Sequence, residues 1–179
     1  MSQHADCRKR VAGLGLRLGS ISLLCAVAVG HAAAEQGVIQ VKGTGTDLLN
    51  GAIVHLKRTT STGEIRKSTE IVELRGDLNG KVLYHVTTVI DNEKGALVNT
   101  GDQVFSGTIA GSDPVMIHDS KFRFEVDLAT GAESGSVYLF NHVTGPKVQC
   151  KLQVTGTGKN ADGNPTFSYV GTCVFAGGR

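Results

Sequence analysis

From GVIQVKG at Gly37 onward, apolar side chains return at nearly every second position, and no window sustains the i, i+3, i+4 spacing of an amphipathic helix. The cleanest stretch is KFRFEVDL, which sets Phe122, Phe124, Val126 and Leu128 against Lys121, Arg123, Glu125 and Asp127. Neighbours on an extended chain point to opposite faces, so this is a strand half buried in a sheet. AIVHLKRT, EIRKSTEIVEL, QVFSGTIAG, PVMIH and SVYLF read the same way, and LLNG, TSTG, RGDLNG, GSDP and ATGAESG between them are turn segments. The chain is therefore all-β, with about eight to ten strands at the spacing typical of a barrel or a sandwich.

KVLYHVTTVI helps to choose between the two. It places Val82, Tyr84, Val86 and Ile90 on one side and Leu83, His85, Thr87 and Val89 on the other, so both sides are largely apolar. Such a strand wants cover on both faces, from a loop, a partner subunit or a ligand in a lumen. A single-domain antiparallel barrel of about eight strands, lipocalin-like in architecture, supplies that arrangement and can enclose one small molecule. A Greek-key β-sandwich is the alternative, and self-association into a homo-oligomer stays open.

The last two strands can be placed in register. VQCKLQVTG and TFSYVGTCVF flank NADG, and a turn centred between Ala161 and Asp162 sets Cys150 opposite Cys173, Val148 opposite Phe175, Leu152 opposite Gly171 and Val154 opposite Tyr169. Apolar residues coincide in this register, and directly opposed residues come within disulfide reach. A cross-strand disulfide follows, closing a loop worth about 3 kcal/mol in the chain-entropy model. A reactive pair or a zinc site is poorly served, since the sequence has no C-x-x-C. The V-x-G-T-G shared by VKGTG and VTGTG is too short to signal a repeat architecture.

The N-terminus reads as an address. Arg8, Lys9, Arg10 and Arg17 precede an apolar run from Ile21 to Val29, and Ala32 and Ala34 give the A-x-A spacing of a cleavage site. The expectation is a secretory signal peptide over 1–34 and one all-β domain over 35–179, exported to the periplasm or the medium. The apolar run is about nine residues, against the roughly 20 a helix needs to span a bilayer. The domain carries 14 Lys and Arg against 15 Asp and Glu, a formal charge of −1. Nothing in this balance offers a footprint for nucleic acid or for anionic lipid.

No motif declares a chemistry. His118, Asp119 and Ser120 are consecutive, whereas members of a catalytic triad converge from separate parts of a fold. His85, mid-strand beside Tyr84, is a candidate general acid or base if its face lines a cavity. Either Glu70 or Glu73 in STEIVEL could be a cavity carboxylate. Candidate catalytic residues are thus His85, Tyr84 and Glu73. No H-x-H, H-E-x-x-H or carboxylate-rich calcium loop points to a metal. GTGTDLLNG and GTGKNADG do not open a helix after a strand, so no nucleotide cofactor is expected. The leading expectation is an exported barrel binding an apolar or aromatic small molecule. The alternatives are a cofactor-independent isomerase, cyclase or lyase with its site in the lumen, and an envelope or interaction protein with no cavity.

Overall fold

A computed structural model describes residues 37–177, of which 74% are strand. The eleven strands are β1 (Gly37–Asp47), β2 (Ile53–Thr59), β3 (Gly63–Gly76), β4 (Leu78–Asp91), β5 (Ala96–Ile109), β6 (Val115–Asp119), β7 (Arg123–Asp127), β8 (Glu133–Leu139), β9 (Asn141–Thr144), β10 (Val148–Lys159) and β11 (Pro165–Phe175). Eight of them close a ring in the order β1, β3, β4, β5, β7, β8, β10, β11 and back to β1, every pair antiparallel. Around this ring each strand's neighbour is the next ring strand along the chain. The barrel is therefore an up-and-down meander and not a Greek-key sandwich. The expected signal peptide over 1–34, with its expected cleavage after Ala34, lies outside the described residues.

The three remaining strands sit where long ring strands outrun the barrel. β3 and β5 each span 14 residues, more than their outer ring partners β1 and β7 cover. β1 pairs only with the second half of β3, and β2 takes the first half. β7 pairs with the start of β5, β6 pairs with its later half, and β9 adds to β6.

Alternation carries through the ring. Ser68, Glu70, Val72 and Leu74 of β3 face inward, as do Val82, Tyr84, Val86 and Thr88 of β4 and Val148, Cys150, Leu152 and Val154 of β10; all are buried. The opposite face of β4 is open, with Leu83 48% and Val89 40% exposed, so no part of the described chain covers that second apolar side. Among the described residues no helix is long and apolar enough to cross a membrane, which leaves strands unaddressed.

The final hairpin has the register read from the sequence: Cys150 opposite Cys173, Val148 opposite Phe175, Leu152 opposite Gly171 and Val154 opposite Tyr169. The two cysteine sulfurs stand at disulfide distance, with Cα atoms 4.1 Å apart. Past Gly156 the register slips by one residue at a bulge. Thr157 is the extra residue, and Gly158 beside it sits at φ +110°, a conformation open chiefly to glycine. The turn is consequently longer than NADG: Asn160 Oδ1 accepts from the backbone N–H groups of Asp162 and Asn164, each at 3.0 Å.

Candidate functional site

The two ends of the barrel are filled differently. At the end where β4 begins and β11 finishes, Leu78, Phe105, Ile109, Ile117, Leu139 and the cysteine pair close the interior with almost no exposure. Tyr169 forms the floor above this plug: its Oη accepts from the Leu78 N–H at 2.8 Å and lies 3.1 Å from the Leu78 carbonyl. Its ring tip comes so close to β1 that a Cβ on Gly43 would stand 2.3 Å from Oη, which is why that position has no side chain.

Above the floor lies a cavity of about 310 Å³. Val72, Leu74 and Val82 wall it on one side, Val137, Leu152 and Val154 on the other, and Phe124 and Phe167 narrow it. Both rings need missing side chains opposite them. A Cβ on Gly45 would sit 2.1 Å from the Phe167 ring, and one on Gly135 would sit 2.1 Å from that of Phe124. Gly45 belongs to VKGTG and Gly156 to VTGTG, and they flank Phe167 from β1 and β10. The echo in the sequence thus marks two places where the wall is thinned.

The polar groups gather toward the other end, where β1 finishes and β3 begins. Tyr84 Oη lies 2.8 Å from Glu70 Oε2 and 3.0 Å from Asp47 Oδ2. The Ser68 hydroxyl donates to Glu70 Oε1, and the Arg66 guanidinium stands 3.9 Å from the same oxygen. A phenol has a single proton to give. Glu70, already held by Ser68 and Arg66, is the better acceptor and the nearer one, so Tyr84 donates to it. The contact between Tyr84 and Asp47 is then made by the proton of an Asp47 carboxylic acid. Burial, and next the Glu70 charge, push the Asp47 carboxyl up to about 7, so this acid persists close to neutral pH. Burial and the two carboxyls raise the Tyr84 phenol as well, which keeps it protonated. Glu133 enters from β8, its carboxyl raised by burial.

The site leaves polar atoms unmet. Among the described residues four buried side-chain atoms have no partner: Asp47 Oδ1, Arg66 Nε, Thr88 Oγ1 and Asn99 Oδ1. Arg66, Thr88 and Asn99 are directly opposed across β3, β4 and β5. Asp47, Arg66 and Asn99 line the cavity. Each such group costs about 1–3 kcal/mol while it stays dry and unpaired.

The residues singled out from the sequence divide between the two faces of the wall. Tyr84 lines the cavity. His85, its neighbour, faces outward, where its Nδ1 is 2.7 Å from Thr69 Oγ1, itself 2.7 Å from His55 Nε2. Glu73 also faces outward and pairs with Arg75 at 3.1 Å, whereas Glu70, three residues earlier and so of opposite parity, faces in. His118 and Asp119 part company too. His118 Nε2 meets Asp102 at 3.2 Å on the outside, and buried Asp119 accepts from Gln103 Nε2 and the Lys121 and Tyr138 N–H groups. Asp47, Arg66 and Glu133 were not anticipated. Parity holds the signal for the first: counting by twos from buried Val41 through Gly43 and Gly45 reaches Asp47 on the inner face. Among the described residues no three His, Cys, Asp or Glu are grouped to hold a metal ion. No family model, curated protein or solved structure matches this chain.

Proposed function

We propose that this barrel binds a small apolar or aromatic molecule in its lumen, with the polar end of the guest toward Asp47, Tyr84 and Glu70. The observation that carries the reading is a walled cavity of about 310 Å³ whose lining is apolar except at one end, within the size range of small-molecule sites. Export of the protein accords with it: the leader-like N-terminus and the Cys150–Cys173 pair both suit an oxidising compartment.

Titration of the domain with N-phenyl-1-naphthylamine tests the reading, because the dye brightens when it leaves water and the chain has no Trp to interfere. Saturable micromolar binding is expected. Leu152→Phe, which thrusts a ring into the cavity, should weaken it at least tenfold, and Leu83→Ala on the outer face should leave it unchanged. Equal binding by wild type and Leu152→Phe would remove the lumen as the site.

A second reading is favoured by one specific arrangement, the proton-sharing chain from Asp47 through Tyr84 to Glu70. A proton taken up at Asp47 Oδ1 would release the Oδ2 proton to Tyr84, which would pass its own to Glu70; the reverse sequence returns it to another atom of the guest. That is the balance of an isomerisation needing no cofactor. Of the sequence candidates Tyr84 fits this role within the lumen. His85 and Glu73 could act only on something bound outside it. His85→Gln discriminates: lost turnover with retained lumen binding would place catalysis on the outer face, and no change in either would remove His85 from the chemistry.

A further inference from the structure

We propose that the molecule held in the lumen is neutral and apolar and ends in a hydroxyl group, whose proton is donated to Asp47 Oδ1. This rests on the lumen-binding reading above and narrows it to one chemical class.

The inference comes from matching the unmet atoms to what each head group can offer. Asp47 has one oxygen committed to Tyr84, and its other, Oδ1, is buried with no partner. As the carbonyl-type oxygen of a carboxylic acid it can only accept. Arg66 Nε–H, also buried and unpartnered, can only donate. A carbonyl or ether accepts from Arg66 and leaves Asp47 Oδ1 unmet. An ammonium donates to Asp47, leaves Arg66 Nε unmet and sets a second cation beside the guanidinium. A carboxylate can only accept, so it too leaves Asp47 Oδ1 unmet, and it meets Glu70 and Glu133 around a single cation that already lies 3.9 Å from Glu70. A hydroxyl both donates and accepts and brings no charge. Beyond the head, the wall of Val72, Val82, Val137 and Leu152 takes hydrocarbon or an aromatic ring.

Four naphthalenes of nearly constant body test this at pH 6, where Asp47 holds its proton: 2-methylnaphthalene, 2-naphthol, 2-naphthoate and 2-naphthylmethylamine, each titrated calorimetrically into the folded domain. 2-Naphthol should bind about tenfold more tightly than 2-methylnaphthalene, the increment of one buried hydrogen bond. The naphthoate and the amine should bind more weakly than either. Asp47→Leu should bring naphthol and methylnaphthalene to parity, and Asp47→Asn, which keeps an acceptor oxygen and donates to Tyr84 through its amide, should restore the preference. Equal affinities for naphthol and methylnaphthalene in the wild type, a preference for naphthoate, or a naphthol preference surviving Asp47→Leu would each overturn the hydroxyl assignment while leaving lumen binding intact. Should none of the four bind, the lumen reading itself fails and takes this inference with it. If Asp47→Leu does not fold, as judged by circular dichroism, Asp47→Asn decides alone: it retains the naphthol preference if the acceptor oxygen is what matters, and loses it if the ionisable carboxyl is.

Discussion

The plugged end and the hollow end of this barrel are made from the same eight strands, yet their side chains answer opposite demands. At the plugged end hydrocarbon side chains and the cysteine pair fill the interior. At the hollow end, glycines at 45 and 135 give up volume to single rings, and carboxyls and a guanidinium occupy inward positions that hydrocarbon would fill more cheaply. Buried polar groups without full partners oppose folding. A fold keeps them at one end only if the other end supplies the stability. That division of labour yields experiments, since each half should respond to a different perturbation.

The largest response belongs to the plug. Phe105→Ala empties a fully buried position and should cost about 3–5 kcal/mol in chemical denaturation. Phe124→Ala, whose ring borders space already open, should cost less than half as much. Equal losses at the two sites would mean the ends are packed alike, and the comparison would collapse.

Next comes the cross-strand bridge. Replacing Cys150 and Cys173 together by alanine should lower stability by about 3 kcal/mol through release of the denatured loop. Binding of N-phenyl-1-naphthylamine should persist at temperatures where the variant remains folded. A variant that folds normally but has lost the dye would show that the plug shapes the lumen as well as supporting it.

The third test is of pH, and it addresses the hollow end. Asp47 is raised from 3.8 to about 7 on folding. Between those values the folded protein holds a proton that the unfolded chain has lost, so this group's stabilising contribution is complete below about pH 4, falls as pH rises, and is gone above about 7. At 1.36 kcal/mol per unit the full span is at most about 4 kcal/mol, and partial solvent access reduces it to roughly half. The groups facing Asp47 are Tyr84 from β4, Glu70 and Arg66 from β3 and Glu133 from β8. Asp47→Asn should flatten the decline between pH 4 and 7, read as the difference between variant and wild-type denaturation midpoints across that range. An unchanged slope would mean that Asp47 is ionised throughout and that the proton count at Tyr84 is wrong.

Much of this architecture was legible in the residues, and the reasons lie in the period of two. Alternation placed the strands, and the coincidence of Cys150 with Cys173 and of Val154 with Tyr169 fixed the last hairpin, because a one-residue slip would have turned every apolar residue outward. The bulge at Thr157 escaped, since one extra residue leaves no mark on an alternating pattern when the residues around it are Gly, Thr and Lys. LVNTG, the start of β5, went unread because Asn99 and Gly101 interrupt its inward face. One of those interruptions belongs to the site, since Asn99 lines the cavity; the other is a demand of the sheet, since a Cβ on Gly101 would stand 2.0 Å from the His85 carbonyl of the neighbouring strand. A polar site in a barrel erases, at the positions it uses, the apolar rhythm by which the strand would be found. Tyr84 and His85 make the complementary point. As neighbours on one strand they cannot both face a lumen, and the buried partners that decide between them, Asp47 and Glu70, lie 37 and 14 residues away.

The smallest expected effect sharpens the line between inside and outside. His85→Gln replaces an exposed side chain whose described hydrogen bond is to Thr69, and should move stability by less than about 0.5 kcal/mol and leave naphthol affinity unchanged. Tyr84→Phe, one residue earlier, removes the hydroxyl that joins Asp47 to Glu70 and takes a hydrogen bond from each carboxyl, which should cost about 1–3 kcal/mol and alter naphthol affinity by severalfold. Adjacent residues then give opposite outcomes in one pair of titrations. If both substitutions were silent in binding, the guest would have no contact with the polar end of the lumen, and the unmet atoms there would be satisfied by water alone.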